Sequence, residues 1–183
     1  MIQNKTMLLK KQLPVLLLLL CCAHVGKAQI EVDYVNAKNF HEIGFGAFLN
    51  FAFPVSEADY VIVEGGVQYF KNSYDEELGL IPVLLGYRYT LDRTGSGLYV
   101  EPVAGYTFGS STIGKYDENG GWEGGYESVA GPSAGLGVGY LLTVGRVPFA
   151  LALRFEHNFG DYGTNVFGFR ISHSFGTRKK DDD

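Results

Sequence analysis

The chain has 183 residues, 46% of them hydrophobic and 14% aromatic, with a formal charge of −5 and two cysteines. That length suits one domain, and the acidic balance is wrong for a nucleic-acid binder. Both cysteines, Cys21 and Cys22, fall in the first segment, so the chain beyond it has neither a disulfide nor a thiolate metal site.

That first segment reads as a secretory signal peptide over residues 1–28. Lys5, Lys10 and Lys11 form a basic leader, residues 13–25 are apolar, and Gly26, Lys27 and Ala28 close the segment with small residues where a signal peptidase reads. Leu20 precedes Cys21 where a lipoprotein signal would carry a small residue. Without the leader's four lysines the charge is about −9. No later stretch approaches the ~20 continuous apolar residues of a membrane helix.

From there the chain alternates with a period of two, the signature of β-strands. Eight segments are expected: 30–37, 41–53, 60–70, 80–91, 98–108, 129–142, 149–159 and 165–175. The first is the briefest. The connections 54–59, 92–97 and 143–148 are short. Those at 71–79 and 109–127 are longer and polar, and 160–164 is a compact turn on the same side. Short turns at one end and longer loops at the other are the plan of an outer-membrane barrel. The expected domain runs over 29–175, followed by a charged tail at 176–183.

The two faces of the strands decide what they touch. One face is crowded with glycine: Gly44, Gly46 and Asn50, then Gly66 and Gln68, then Gly131, Ser133, Gly135, Gly137 and Gly139. The other is apolar, as in Ile81, Val83 and Leu85. Beyond the leader, lysine occurs only at 38, 71, 115, 179 and 180, all in expected connections or the tail. A face bathed in water would carry lysine, which is rarely buried, so neither face meets bulk water. The glycine-rich face fits the narrow lumen of an antiparallel up-and-down transmembrane β-barrel of about eight strands, and the apolar face meets lipid. Tyr69, Tyr106, Phe108, Phe159 and Phe167 would gather at one interface. Phe51, Phe53, Tyr87, Tyr89, Tyr140, Phe149 and Phe175 would gather at the other.

Charges on the lumen face must be paired. The candidates are Glu42, Glu64, Glu101 and Glu156 against Arg88, Arg154 and Arg170. Counting across the turns places Arg88 opposite Glu101, and Arg154 opposite Arg170 with Glu156 diagonal to them. The interior is then a salt-bridge plug that fixes register, with a narrow pore for small solutes as the alternative. The connection 109–127 mixes Tyr116, Trp122 and Tyr126 with acidic residues, which makes it the candidate for contact with an extracellular ligand or surface.

The stretches IPVLLGYRYT, YVEPVAGYTF, GLGVGYLL and FGFRISHSF resemble the small outer-membrane β-barrel proteins of Gram-negative bacteria, of the OmpA/OmpX-like type common in Bacteroidota. The resemblance implies residence in the outer membrane, contact with lipid and lipopolysaccharide, and insertion by an assembly machinery that reads a terminal aromatic. Phe175 fits that role, although GTRKKDDD follows it. A structural, surface-contact or adhesion role without a cofactor is expected.

Other readings carry less. The glycines of GLGVG have period two inside a strand, which is not a nucleotide loop. Lipid A deacylases of similar fold use a membrane-face His with a nearby Ser and Glu. Here His157 has Phe159 where the serine is wanted. His173 falls near the opposite interface, and His41 opens a strand. No His, Asp and Glu set has metal spacing. A periplasmic lipocalin-like carrier of an apolar ligand is the same pattern with its faces inverted, which the missing strand lysines oppose.

Overall fold

Alternation along the chain produces nine strands in the computed structural model. The structure describes residues 26–37, 40–92, 96–116, 122–144, 147–160 and 163–174. The strands are β1 (Gly26–Ala37), β2 (Phe40–Pro54), β3 (Asp59–Lys71), β4 (Glu77–Thr90), β5 (Gly97–Tyr116), β6 (Trp122–Ser128), β7 (Gly131–Val144), β8 (Val147–Asn158) and β9 (Thr164–Ser174). Each pairs antiparallel with its neighbour, and β1 pairs with β9 to close the sheet.

Nine strands make eight staves, because β6 and β7 are one stave interrupted at residues 129 and 130. Ser110 pairs with Ser128 and Thr107 with Gly131, in a single unbroken register. The interruption at Val129 and Ala130 is tied to the end of β8. There the Asn158 amide donates to the Val129 carbonyl at 2.7 Å, and the Phe159 N–H donates to the Pro132 carbonyl at 2.8 Å. A side chain on Gly131 would meet the Gly160 backbone, so the two strands approach closely there.

Closure sets the shape. From Gly26 the pairing runs through Phe51, Val63, Leu85, Ala104, Ala134, His157 and Asn165, and returns to β1 at Asn36, ten residues on. An eight-stave barrel with that stagger has strands tilted by about 40° and a lumen that side chains can fill.

The faces fall as the alternation requires. Ile30, Phe45 and Leu153 are each about two-thirds exposed (68%, 68% and 66%) although they sit mid-strand. In water that surface would be an aggregation hazard, and it is the lipid band of a membrane barrel. Tyr69, Tyr106, Phe108, Phe159 and Phe167 are exposed toward one rim, and Phe53, Tyr87, Tyr89 and Tyr140 toward the other. Phe175 lies outside the described residues, as do the leader up to residue 25 and the tail.

The strand boundaries differ from the sequence reading in three places. β1 starts at Gly26, so it runs through the residues where the leader was expected to end. The connection at 71–79 shrinks to 72–76. Asn72 shapes it, its side-chain oxygen accepting from the Tyr74 and Glu76 N–H groups at 2.9 Å each. The largest change is at 109–127, where β5 and β6 continue as a hairpin beyond the membrane band. The β-branched and aromatic residues Thr112, Ile113, Tyr116 and Trp122 favour extended backbone there despite the surrounding glycines. The seven residues of β6 reach about 20 Å past the rim.

Candidate functional site

The lumen holds the charged residues. Arg88 comes from β4, Glu101 from β5, Arg154 and Glu156 from β8, Glu64 from β3, and Arg170 from β9, all 5% exposed or less. Glu31 and Asp33 from β1 join them, equally buried.

These side chains form one connected string. Arg88 reaches Glu101 with Nε at 2.7 Å and Nη2 at 2.5 Å. Arg154 Nη1 lies 3.8 Å from Glu101 and 3.0 Å from Glu64, while its Nη2 lies 3.6 Å from Glu156. Arg170 holds the other Glu64 oxygen at 2.5 Å and grips Glu31 with Nε at 2.9 Å and Nη2 at 2.5 Å. Around the ring of eight staves, β3 and β8 are diametrically opposite. The Glu64–Arg154 pair therefore spans the whole width of the lumen.

Neutral groups complete the string. Ser133 donates to Thr107 at 2.7 Å, and Thr107 donates to Glu156 at 3.2 Å. Gln68 donates to Asp33 at 3.1 Å. Two arginines also lie on aromatic rings: Arg170 is 4.3 Å from the Phe48 ring centre, and Arg88 is 4.4 Å from that of Tyr99. Glycine makes room for the rings. A Cβ on Gly139 would come within 2.5 Å of Tyr99, and one on Gly66 would enter the Phe48 ring.

Toward the hairpin end the lumen turns apolar. Val35, Phe40, Phe70, Leu78, Leu80 and Val166 pack there as a buried cluster.

Two expectations are corrected. Arg154 and Arg170 do not face each other: Arg154 pairs with Gly168, and Arg170 with Ala152. The connection after Asn158 closes on Thr164, so it is five residues long as expected but sits one residue earlier, and the register moves by two. A slip of two preserves every face and changes only the cross-strand partners. Glu42 is half-buried opposite Val35 at the outer end of β2, away from the arginines. Glu31 takes the place expected for it. Arg88 does stand opposite Glu101 by the register of β4 on β5.

The sequence reading missed Glu31 and Asp33. Their alternation with Ile30, Val32 and Tyr34 was the available signal, but it was short.

On the hairpin, Tyr116 pairs with Trp122, and Tyr126 pairs with Thr112. Tyr126 is 83% exposed, and Tyr74 on the neighbouring loop is 84% exposed. That loop carries an ion pair between Lys71 and Asp75 at 2.9 Å. The hydrogen bond from Lys71, and then its charge, hold the Asp75 carboxyl below its ordinary 3.8. A carboxylate lowered in the folded state stabilises above its unfolded value, and that contribution is lost only as pH falls through the lower folded value. An NMR titration of Asp75 is expected to show a midpoint below 3.8, and Lys71→Met to return the midpoint to it.

His157 and His173 stand on the outer surface. His157 Nδ1 lies 2.8 Å from the Asn165 side-chain oxygen, and its ring meets Phe159 edge-on at 4.4 Å. His173 packs against Phe149 at 5.3 Å. Among the described residues no group of three or more His, Cys, Asp or Glu could hold a metal.

A closed antiparallel barrel of eight staves, with an apolar band outside and a charged string inside, defines a small outer-membrane β-barrel. The family model of the autotransporter β-domain matches residues 46–183, and the chain belongs to that family. Its fold is similar to Ail, the attachment invasion locus protein of Yersinia pestis (TM-score 0.58, 12% identity, 81% of this chain and 94% of that one). It is also similar to Neisserial surface protein A (TM-score 0.54, 12% identity, 81% and 94%). The N-terminal β-barrel domain of Pseudomonas aeruginosa OprF is a further likeness (TM-score 0.50, 13% identity, 81% and 96%). No curated protein sequence matches the chain. The protein resides in the outer membrane.

Proposed function

We propose that this protein is a closed, non-conducting barrel that serves the envelope as a membrane-anchored scaffold and displays its hairpin for surface contact or adhesion. The ion pair between Glu64 and Arg154 carries this reading, because it joins opposite walls of the lumen at 3.0 Å. The apolar cluster at the hairpin mouth supports it. The longer loops of such barrels face outward, which puts Tyr74 and Tyr126 beyond the lipopolysaccharide-bearing leaflet. The assembly machinery would act on the strand that closes the barrel, β9. The reading is non-enzymatic: His157 is engaged by Asn165 and covered by Phe159, with no serine beside it.

Planar-bilayer recording tests the closed lumen. The reconstituted protein is expected to show no unitary conductance, and steady single-channel steps would favour the narrow pore. Surface contact is tested separately, by comparing adhesion of cells carrying wild type and Trp122→Ala. Equal adhesion would remove the hairpin from the role.

A further inference from the structure

The lipid-facing wall carries an open recess where the ladder between two strands is interrupted. Pairing of β4 with β5 holds through Gly86–Val103 and resumes at Tyr89–Val100, skipping the positions between. Pro102 has no N–H to donate to β4, so the ladder breaks there. On the lumen side the gap is stapled by Arg88 and Glu101. On the lipid side it leaves a recess of about 370 Å³, walled by Val61, Leu85, Tyr87, Pro102 and Ala104.

Sequence explains why the wall is low there. Pro102 and Ala104 are short, and Ala134, paired with Ala104, adds only a methyl. Around them stand Leu85 and Tyr87, 59% and 40% exposed. The recess lies between mid-band and the rim with the short turns, which faces the periplasm.

We propose that this recess is a binding site for one acyl chain of an inner-leaflet phospholipid. Its walls are almost wholly apolar, and it opens onto the band that meets hydrocarbon, so a water-soluble ligand has no route to it. A chain lying in the gap covers strand edges that Pro102 leaves without a ladder bond, and gains more contact than one lying on the convex wall elsewhere. The site is independent of whether the lumen conducts.

Native mass spectrometry tests it. The barrel is reconstituted in palmitoyl-oleoyl phosphatidylethanolamine vesicles and moved into a mild non-ionic detergent. Wild type is expected to retain one phospholipid per barrel. Ala104→Trp, which fills the recess, should lower the retained fraction about tenfold, a difference of about 1.4 kcal/mol. Ala47→Trp, on the exposed face of β2, should retain the lipid. A heat-modifiable gel band verifies that each variant is folded, and Leu85→Trp replaces Ala104→Trp if the latter does not assemble. Equal retention in all variants, or no retained lipid in wild type, would overturn the proposal. So would a dimer mass that Ala104→Trp abolishes, since the recess would then be an interface between copies.

Discussion

Replacing Arg170 with methionine is expected to cost the folded barrel about 3–5 kcal/mol, the penalty for breaking a buried ion pair from one side. Arg170 is the best-satisfied cation in the lumen. It holds Glu31 and Glu64 at 2.5–2.9 Å and stacks on Phe48. By contrast, Arg154 has one contact at 3.0 Å and two beyond 3.5 Å. Methionine keeps the packing volume and leaves two carboxylates facing each other, with Asp33 close by. Among the described residues, those fully buried in the lumen include five acids, Glu31, Asp33, Glu64, Glu101 and Glu156, against three arginines. Denaturant unfolding of the barrel in vesicles measures the loss. Adding Glu31→Gln and Glu64→Gln to Arg170→Met should restore much of it, because the damage is stranded charge rather than missing volume. If Arg170→Met unfolded at the wild-type denaturant concentration, the string would be filler and not a structural element.

The barrel itself was legible because alternation is a local property. Each strand declares its two faces within six residues; the lysine pattern holds for the middle of the strands only, since Lys27, Lys71 and Lys115, expected outside them, lie in the end regions of β1, β3 and β5. Partners across the lumen are a global property. That Glu64 meets Arg154 depends on the ten-residue stagger, which accumulates over eight registers, and no local pattern in β3 or β8 encodes it. Arg88 and Glu101 were legible because one short connection separates them. Arg154 and Arg170 were misplaced because the turn starts one residue earlier than a plain count puts it, where the Gly160 N–H donates to the Asn158 side chain at 2.8 Å and Gly163 takes a φ of +52°. The hairpin was read as a loop because its glycines and acids resemble one. Pairing between β5 and β6 overrides that composition.

The second large effect separates two adjacent glycines. Gly66→Val is expected to destabilise the barrel by about 3 kcal/mol or more, while Gly65→Val next to it is expected to be close to neutral. Both residues sit in β3, so backbone propensity is the same for the two and β-branching favours either substitution. Only their faces differ. A Cβ on Gly65 points to lipid and finds its nearest atom 4.0 Å away, at the Pro82 carbonyl. A Cβ on Gly66 enters the Phe48 ring. That ring has no retreat: on its other side a Cβ on Gly46 would already be 2.7 Å from its edge, and the Arg170 guanidinium lies 4.3 Å from its centre. Displacing Phe48 therefore displaces Arg170 and loosens its hold on Glu31 and Glu64. Heat-modifiable mobility and denaturant unfolding read the outcome. Phe48→Ala in the Gly66→Val background should recover part of the loss, since it removes the atoms that the valine meets. Equal losses at 65 and 66 would mean that β3 needs glycine for its backbone, and that the packing of Phe48 beneath Arg170 is not what fixes the lumen.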